Sequence, residues 1–132
     1  MKYLRAFIAG IVVPTILVPI GLYTAAEVGK TELLQIPFLH LLPILWGIWN
    51  VLYFALFKRI LPIDINLRLI ITGAVLGLII AIYGVFWEHI PSRLGFPSQY
   101  QYYPLLALPI IYAILWWLFV KPLNDLLGIK EN

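Results

Sequence analysis

Two side chains of this sequence that can exchange protons, His40 and Glu88, each lie near one end of a long apolar run. If both runs are helical, the two residues lie about 27 and 30 Å from the opposite ends of their runs, at about 1.5 Å per residue. An imidazole and a carboxylate at matching depth in a low-dielectric site could bind a proton, a cation or a hydroxylated substrate. The alternative, which we favour, is a hydrogen-bonded pair that only fixes two helix ends.

A third polar candidate, Asn50, lies inside the second apolar run. With His40, Pro43 and Gly47 it forms a stripe that covers about 80° of arc on a helix. An amide that faces lipid is costly, so we expect this stripe to face protein or water. His40, Asn50 and Glu88 are therefore our candidates for a ligand or proton site.

Three basic residues, Lys58, Arg59 and Arg68, flank the connection between the second and third apolar runs. Each could contact anionic lipid head groups, for about 1 kcal/mol per residue near an anionic surface, or an acidic partner. The alternative, which we favour, is that these charges only set the orientation of the chain in the membrane.

The composition excludes several kinds of chemistry. The sequence has no cysteine, which rules out disulfides, thiolate metal sites and thiol redox reactions. His40, Glu88 and His89 do not have the close spacing typical of metal ligands, so we predict neither a metal nor a cofactor. We find no catalytic motif and predict that the protein is not an enzyme. The net charge of +3 is modest, and we predict no nucleic-acid partner.

The distribution of charged residues along the sequence predicts the helices that carry these candidate residues. Of 132 residues, 63% are hydrophobic and 11% are charged, whereas soluble domains contain about 25% charged residues. Four uncharged stretches of 21, 25, 19 and 27 residues are each long enough to cross a hydrocarbon core of about 30 Å as a helix. We therefore predict an all-α integral membrane protein in which residues 1–132 form a single domain. Its four transmembrane helices form an antiparallel up-down bundle, with spans at about 6–26, 36–57, 68–88 and 101–121.

Basic residues are shared unequally between the two sides that this arrangement defines. Seven of the nine lie at the termini or between the second and third spans, whereas Lys30 and Arg93 lie in the other two loops. Because short cytoplasmic loops carry an excess of lysine and arginine, we predict that both termini are cytoplasmic. We expect a multi-pass protein of a bacterial or archaeal plasma membrane.

The third span carries small residues on one helical face. Gly73, Gly77, Ala81 and Gly84 follow one another at steps of four, four and three residues. Small residues let two membrane helices approach closely, so this ladder predicts a packing face. The helix packed there could be the second or the fourth span of the same chain, which we favour, or the same face of another copy.

Two functions are the leading hypotheses for a chain with these features, ahead of a membrane enzyme that acts on lipid at the outer face. The first is a small membrane protein that acts by assembly, as an accessory subunit or a self-associating scaffold of a membrane complex. Its partners would be membrane lipid and either itself or another membrane protein. The alternative is a small homo-oligomeric transporter or channel with a polar site near the outer face. A conduction path needs several polar groups at depth, and the scarcity of such groups favours assembly.

Overall fold

A computed structural model describes residues 1–129, and all the regular structure in that range is helical. The α-helices are α1 (Lys2–Glu27), α2 (Pro37–His40), α3 (Leu42–Leu52), α4 (Lys58–Ile60), α5 (Ile65–Ile82), α6 (Ile90–Arg93), α7 (Pro104–Leu115) and α8 (Lys121–Leu126). Short 3₁₀ helices occupy Thr31–Gln35 and Ser98–Tyr100. Wider π-helical turns occupy Tyr53–Phe57, Tyr83–Trp87 and Trp116–Val120.

Three helical segments are long and apolar enough to cross a membrane: Lys2–Glu27, Ile65–Trp87 and Pro104–Leu126. They coincide with the predicted spans at 6–26, 68–88 and 101–121. The last two segments pass through a π-helical turn without a break, so their helical path remains continuous. The prediction of an all-helical fold with membrane-length helices is confirmed to this extent.

The predicted span at 36–57 is not one continuous helix. The short α2 ends at His40, and a new helix begins at Leu42 after a turn at Leu41. Proline lies in the first turn of both helices, as Pro37 and Pro43. Proline is well tolerated there because the first backbone N–H groups of a helix have no partner within the helix. From Leu42 the helical path runs on through the π-helical turn to Ile60.

The long helices pack most extensively as two antiparallel pairs, α1 with α3 and α5 with α7. Within each pair, glycine allows close approach of the two backbones. A Cβ atom on Gly10 would lie 2.6 Å from the carbonyl oxygen of Trp46, and one on Gly77 would lie 2.5 Å from that of Leu108. Each pair therefore depends on glycine at its contact.

Large aromatic side chains fill the space between the two pairs. The ring of Trp46 on α3 lies 5.0 Å, between centroids, from both Tyr112 on α7 and Trp116 in the turn that follows. All three side chains are buried and belong to the main apolar cluster. The two pairs are thus joined by aromatic packing, with small residues inside each pair and large residues between them.

Candidate functional site

The most deeply buried polar contact joins Asn50 on α3 to Asn124 on α8. The Nδ2 atom of Asn50 donates to Oδ1 of Asn124 at 2.8 Å and to the backbone oxygen of Ala6 at 2.7 Å. In return, Nδ2 of Asn124 lies 3.4 Å from Oδ1 of Asn50. Neither side chain is more than 1% exposed. This amide pair therefore connects α1, α3 and α8. The side chain of Asn50 faces protein, as expected.

The partner of Asn50 lies beyond the last predicted span, which ended at residue 121. Tyr112, Trp116, Val120 and Asn124 succeed one another at four-residue steps, and all four are buried. The helical path continues through Lys121–Leu126, so Asn124 lies on the buried face. The signal that could have identified it is this four-residue repeat across the predicted boundary.

A second group of polar contacts joins α3 and the turn after it to α5. The indole nitrogen of Trp49 donates to the backbone oxygen of Thr72 at 2.9 Å. The hydroxyl of Thr72 in turn donates to the backbone oxygen of Arg68 at 2.7 Å. The side chains of Trp49 and Thr72 therefore bond to backbone oxygens, whereas the buried indole nitrogens of Trp46 and Trp116 have no partner in the described part of the chain.

The predicted role of Arg68 in head-group contact requires correction, because its side chain is only 8% exposed. Its Nε donates to the hydroxyl of Tyr53 at 3.2 Å, and its Nη1 donates to the backbone oxygens of Leu61 and Ile63 at 3.3 and 3.5 Å. Arg68 is buried because the loop after α4 covers its side chain. The carbonyl groups of this loop lie past the helix end and need hydrogen-bond donors. A guanidinium with five N–H groups supplies several of them at once.

The other two members of the basic cluster differ in their environments. Arg59 is exposed, whereas Lys58 is half-buried. Both lie on the short α4, at the end of the path that begins at Leu42. A contact with head groups or with an acidic partner stays a prediction for these two residues.

His40 and Glu88 each form a hydrogen bond with a residue nearby in the sequence. The Nε2 atom of His40 donates to the backbone oxygen of Leu34 at 2.8 Å, and the side chain is exposed. Glu88 accepts from the hydroxyl of Tyr83 at 3.0 Å and lies 3.7 Å from the guanidinium of Arg93. Within residues 1–129, no direct hydrogen bond joins His40 to Glu88.

Two irregularities explain this correction. The expected proximity assumed unbroken α-helices over 36–57 and 68–88. The turn at Leu41 separates His40 from the face that carries Asn50. The π-helical turn at Tyr83–Trp87 shifts the helical register before Glu88, and His89 then adopts a left-handed conformation with φ 51°. His40 and Glu88 therefore take local partners instead.

The small-residue ladder of α5 and the turn after it lies in the interior, since Gly73, Gly77, Ala81 and Gly84 are all buried. Gly73 and Gly77 face α7, because Cβ atoms there would lie 2.5 Å from the backbone oxygens of Tyr112 and Leu108 respectively. Gly84 differs, since the nearest atom to its Cβ position is the tip of Ile90 at 3.5 Å. The close contact with the backbone of α7 is therefore made at Gly73 and Gly77, and Gly84 does not take part in it.

Within the described range, no group of three histidine, aspartate or glutamate side chains is placed to hold a metal ion. Comparisons of the chain with protein-family models, with curated proteins and with solved structures gave no match. The functional argument therefore depends on the geometry of this chain alone.

Proposed function

We propose that this chain is a non-enzymatic membrane protein with four spans that acts by assembly, as an accessory subunit or a self-associating scaffold. The observation that carries the proposal is the unequal burial of its helices. In their most apolar stretches, half of Ile65–Trp87 is buried, but only 28% of Lys2–Glu27 and 17% of Pro104–Leu126. The first and last helices thus present most of their surface outwards.

The space between these two helices supports the proposal. An apolar cleft of about 530 Å³ lies between α1 and the segment from α7 to α8. Its lining includes Leu17 and Phe119, both nearly half exposed. Association of membrane helices is driven by close packing rather than by the hydrophobic effect, and a cleft with apolar walls gives a partner helix a large packing surface.

The internal polar contacts count against the transport alternative. A path for ions or polar solutes needs polar groups that can exchange partners with the solute. Asn50, the deepest such candidate, is already bonded to Ala6 and Asn124. Opening a path there would break these bonds in a low-dielectric interior, where unpaired polar groups are costly.

The fourth crossing in this proposal is the helical path from Leu42 to Ile60. At about 1.5 Å per residue its 19 residues extend about 28 Å, close to the thickness of a hydrocarbon core. Lys58 and Arg59 near its end would then lie at the cytoplasmic boundary, as the excess of basic residues on that side requires.

We expect reporters fused to either terminus to give a cytoplasmic signal. A pair of enzymes that are active on opposite sides of the membrane, each fused to the N- and the C-terminus in turn, measures this directly. An insertion reporter between residues 93 and 98 should give the opposite signal and serves as the control. An external signal from only one terminus would mean that the chain crosses the membrane an odd number of times. That result would contradict a fourth span from Leu42 to Ile60.

A photoreactive side chain in the cleft tests assembly in native membranes. We expect benzoylphenylalanine in place of Phe119 to form a discrete protein adduct, whose mass distinguishes a second copy from another protein. The matched control is Phe86, which is exposed to a similar degree but lies outside the cleft. Adducts with lipid alone at both positions would contradict the proposal.

A further inference from the structure

A second apolar groove, separate from the cleft described above, lies between α2, α5, α7 and the loop that connects α5 to α7. Its volume is about 400 Å³, within the range of about 300–1,000 Å³ typical of small-molecule pockets. Its lining is aliphatic and aromatic, and includes Phe38, Ile80, Leu94, Phe96, Ala107 and Tyr112. Such a surface fits a hydrocarbon chain rather than a polar ligand.

The groove has the depth of a single lipid leaflet. Along α7 it extends from Pro104 to Tyr112, about 12 Å at about 1.5 Å per residue. That length is less than half of a hydrocarbon core of about 30 Å. A chain that enters from the loop end would therefore remain within the leaflet on that side.

Two basic residues, Lys30 and Arg93, lie at the loop end of the groove. The Nζ atom of Lys30 lies 3.6 Å from the position that a Cβ on Gly95 would occupy, and Leu94 and Phe96 on either side of that glycine line the groove. Arg93, on the adjoining short helix α6, lies 3.7 Å from Glu88. Lys30 and Arg93 thus lie beside the loop end of the groove, and Arg93 is close to the carboxylate of Glu88.

These two cations are the only basic residues that the charge count places away from the termini and the middle loop. The folded chain brings both of them to the mouth of one apolar groove. Lys30 makes no ion pair with a carboxylate in the described part of the chain, whereas Arg93 pairs with Glu88. The ammonium group of Lys30 is therefore the group available for an anion beside the groove.

From this juxtaposition we infer that the groove binds an acyl chain of an anionic phospholipid, whose phosphate head group contacts Lys30. The apolar walls hold the chain, and the ammonium group of Lys30 selects the head group. Both parts are required: the groove alone would accept any lipid tail, and the charge alone would give no lasting contact. The site lies on the side of the membrane opposite to Lys58 and Arg59, so it is distinct from any head-group contact of those residues.

Native mass spectrometry of the full chain, from nanodiscs of equal phosphatidylglycerol and phosphatidylcholine with identical chains, tests this inference. We expect retained lipid to be enriched in phosphatidylglycerol. Lys30→Gln should lower the retained ratio of the two lipids about fivefold, the factor that one lysine contributes near an anionic surface. Arg59→Gln removes a charge at the other end of the molecule and should leave the ratio unchanged.

Substitutions that fill the groove should lower the retention of both lipids, whereas Lys30→Gln should change only their ratio. Ala107→Phe places a ring in the groove, and Leu106→Phe is the control, because Leu106 is 70% exposed and outside the groove. Gly84→Leu is a second groove-filling variant, since its Cβ meets only a flexible side-chain tip at 3.5 Å. The inference is wrong if correctly folded Ala107→Phe and Gly84→Leu retain lipid as the parent chain does, or if Lys30→Gln leaves the ratio unchanged.

Discussion

Replacing Gly77 with leucine is expected to separate α5 from α7 and to lower the free energy of unfolding by about 3 kcal/mol or more. Inserting side-chain volume into a packed interior typically costs about 1–3 kcal/mol, and occasionally more. The upper end applies here because a Cβ at this position would lie 2.5 Å from the backbone oxygen of Leu108 and 2.8 Å from Cβ of Tyr112. A backbone oxygen cannot move aside as a flexible side chain can, so the whole helix must shift.

The chain offers a matched control for this substitution. Gly21 lies on α1, is exposed, and has no atom within 4 Å of its Cβ position. Gly21→Leu should change the free energy of unfolding by less than about 0.5 kcal/mol, as is usual for surface substitutions. Unfolding in mixed micelles of a mild and a denaturing detergent measures both variants. Equal effects of the two changes would mean that α5 and α7 do not meet at Gly77.

The second large effect is expected at the buried amide pair. Asn50→Leu should lower the free energy of unfolding by about 1–3 kcal/mol, because the polar groups of Asn124 and the backbone oxygen of Ala6 lose a partner in the interior. Asn124→Leu should behave similarly. The double substitution should cost less than the sum of the two, since it leaves no amide unpaired.

The double-mutant cycle isolates the energy of the contact itself. We expect a coupling energy between about 0.6 kcal/mol, the average for hydrogen bonds between membrane helices, and about 1.7 kcal/mol, the largest such value. Asn66→Leu is the control, because Asn66 is exposed and its side chain bonds to Trp117 rather than to Asn50 or Asn124, so its effect should add to theirs. Additive effects of the Asn50 and Asn124 substitutions would show that their side chains do not bond to each other.

The long helices could be predicted from the sequence because their signal is local. The length of an uncharged apolar stretch and the charges at its ends determine where a membrane helix can lie. The predicted spans at 6–26, 68–88 and 101–121 therefore coincide with membrane-length helices. The break at Leu41 was harder to predict, since proline in an apolar stretch is compatible with either a kink or a new helix start.

The contacts between helices could not be predicted in the same way, because they join residues far apart in the chain. Asn50 and Asn124 are separated by 74 positions, and no local pattern relates them. The π-helical turns also matter, since each shifts the register of every residue that follows. The expected pairing of His40 with Glu88 assumed regular helices, whereas one helix starts again and the other widens, and each side chain bonds directly to a local partner.

Burial changed the interpretation of the charged residues as well. In the sequence, Arg68 resembles Lys58 and Arg59, because all three follow or precede an apolar stretch. Only the folded chain shows that the loop at Leu61 and Ile63 covers the guanidinium with carbonyl groups. A charged residue at the end of a span can therefore bond to backbone groups inside the protein or contact lipid head groups at the membrane surface. The sequence does not distinguish these two roles.

Native mass spectrometry of the chain, extracted from its own membrane in a mild detergent, tests the central proposal of assembly most directly. A single chain has a mass of 15.1 kDa. The account predicts a heavier species that contains either several copies of this chain or this chain with another protein. A partner bound in the cleft should be lost from that species on Leu17→Trp, which alters the cleft lining, and kept on Leu106→Trp. A mass of one chain with lipid alone, under conditions that preserve other membrane complexes of the same cells, would contradict the account.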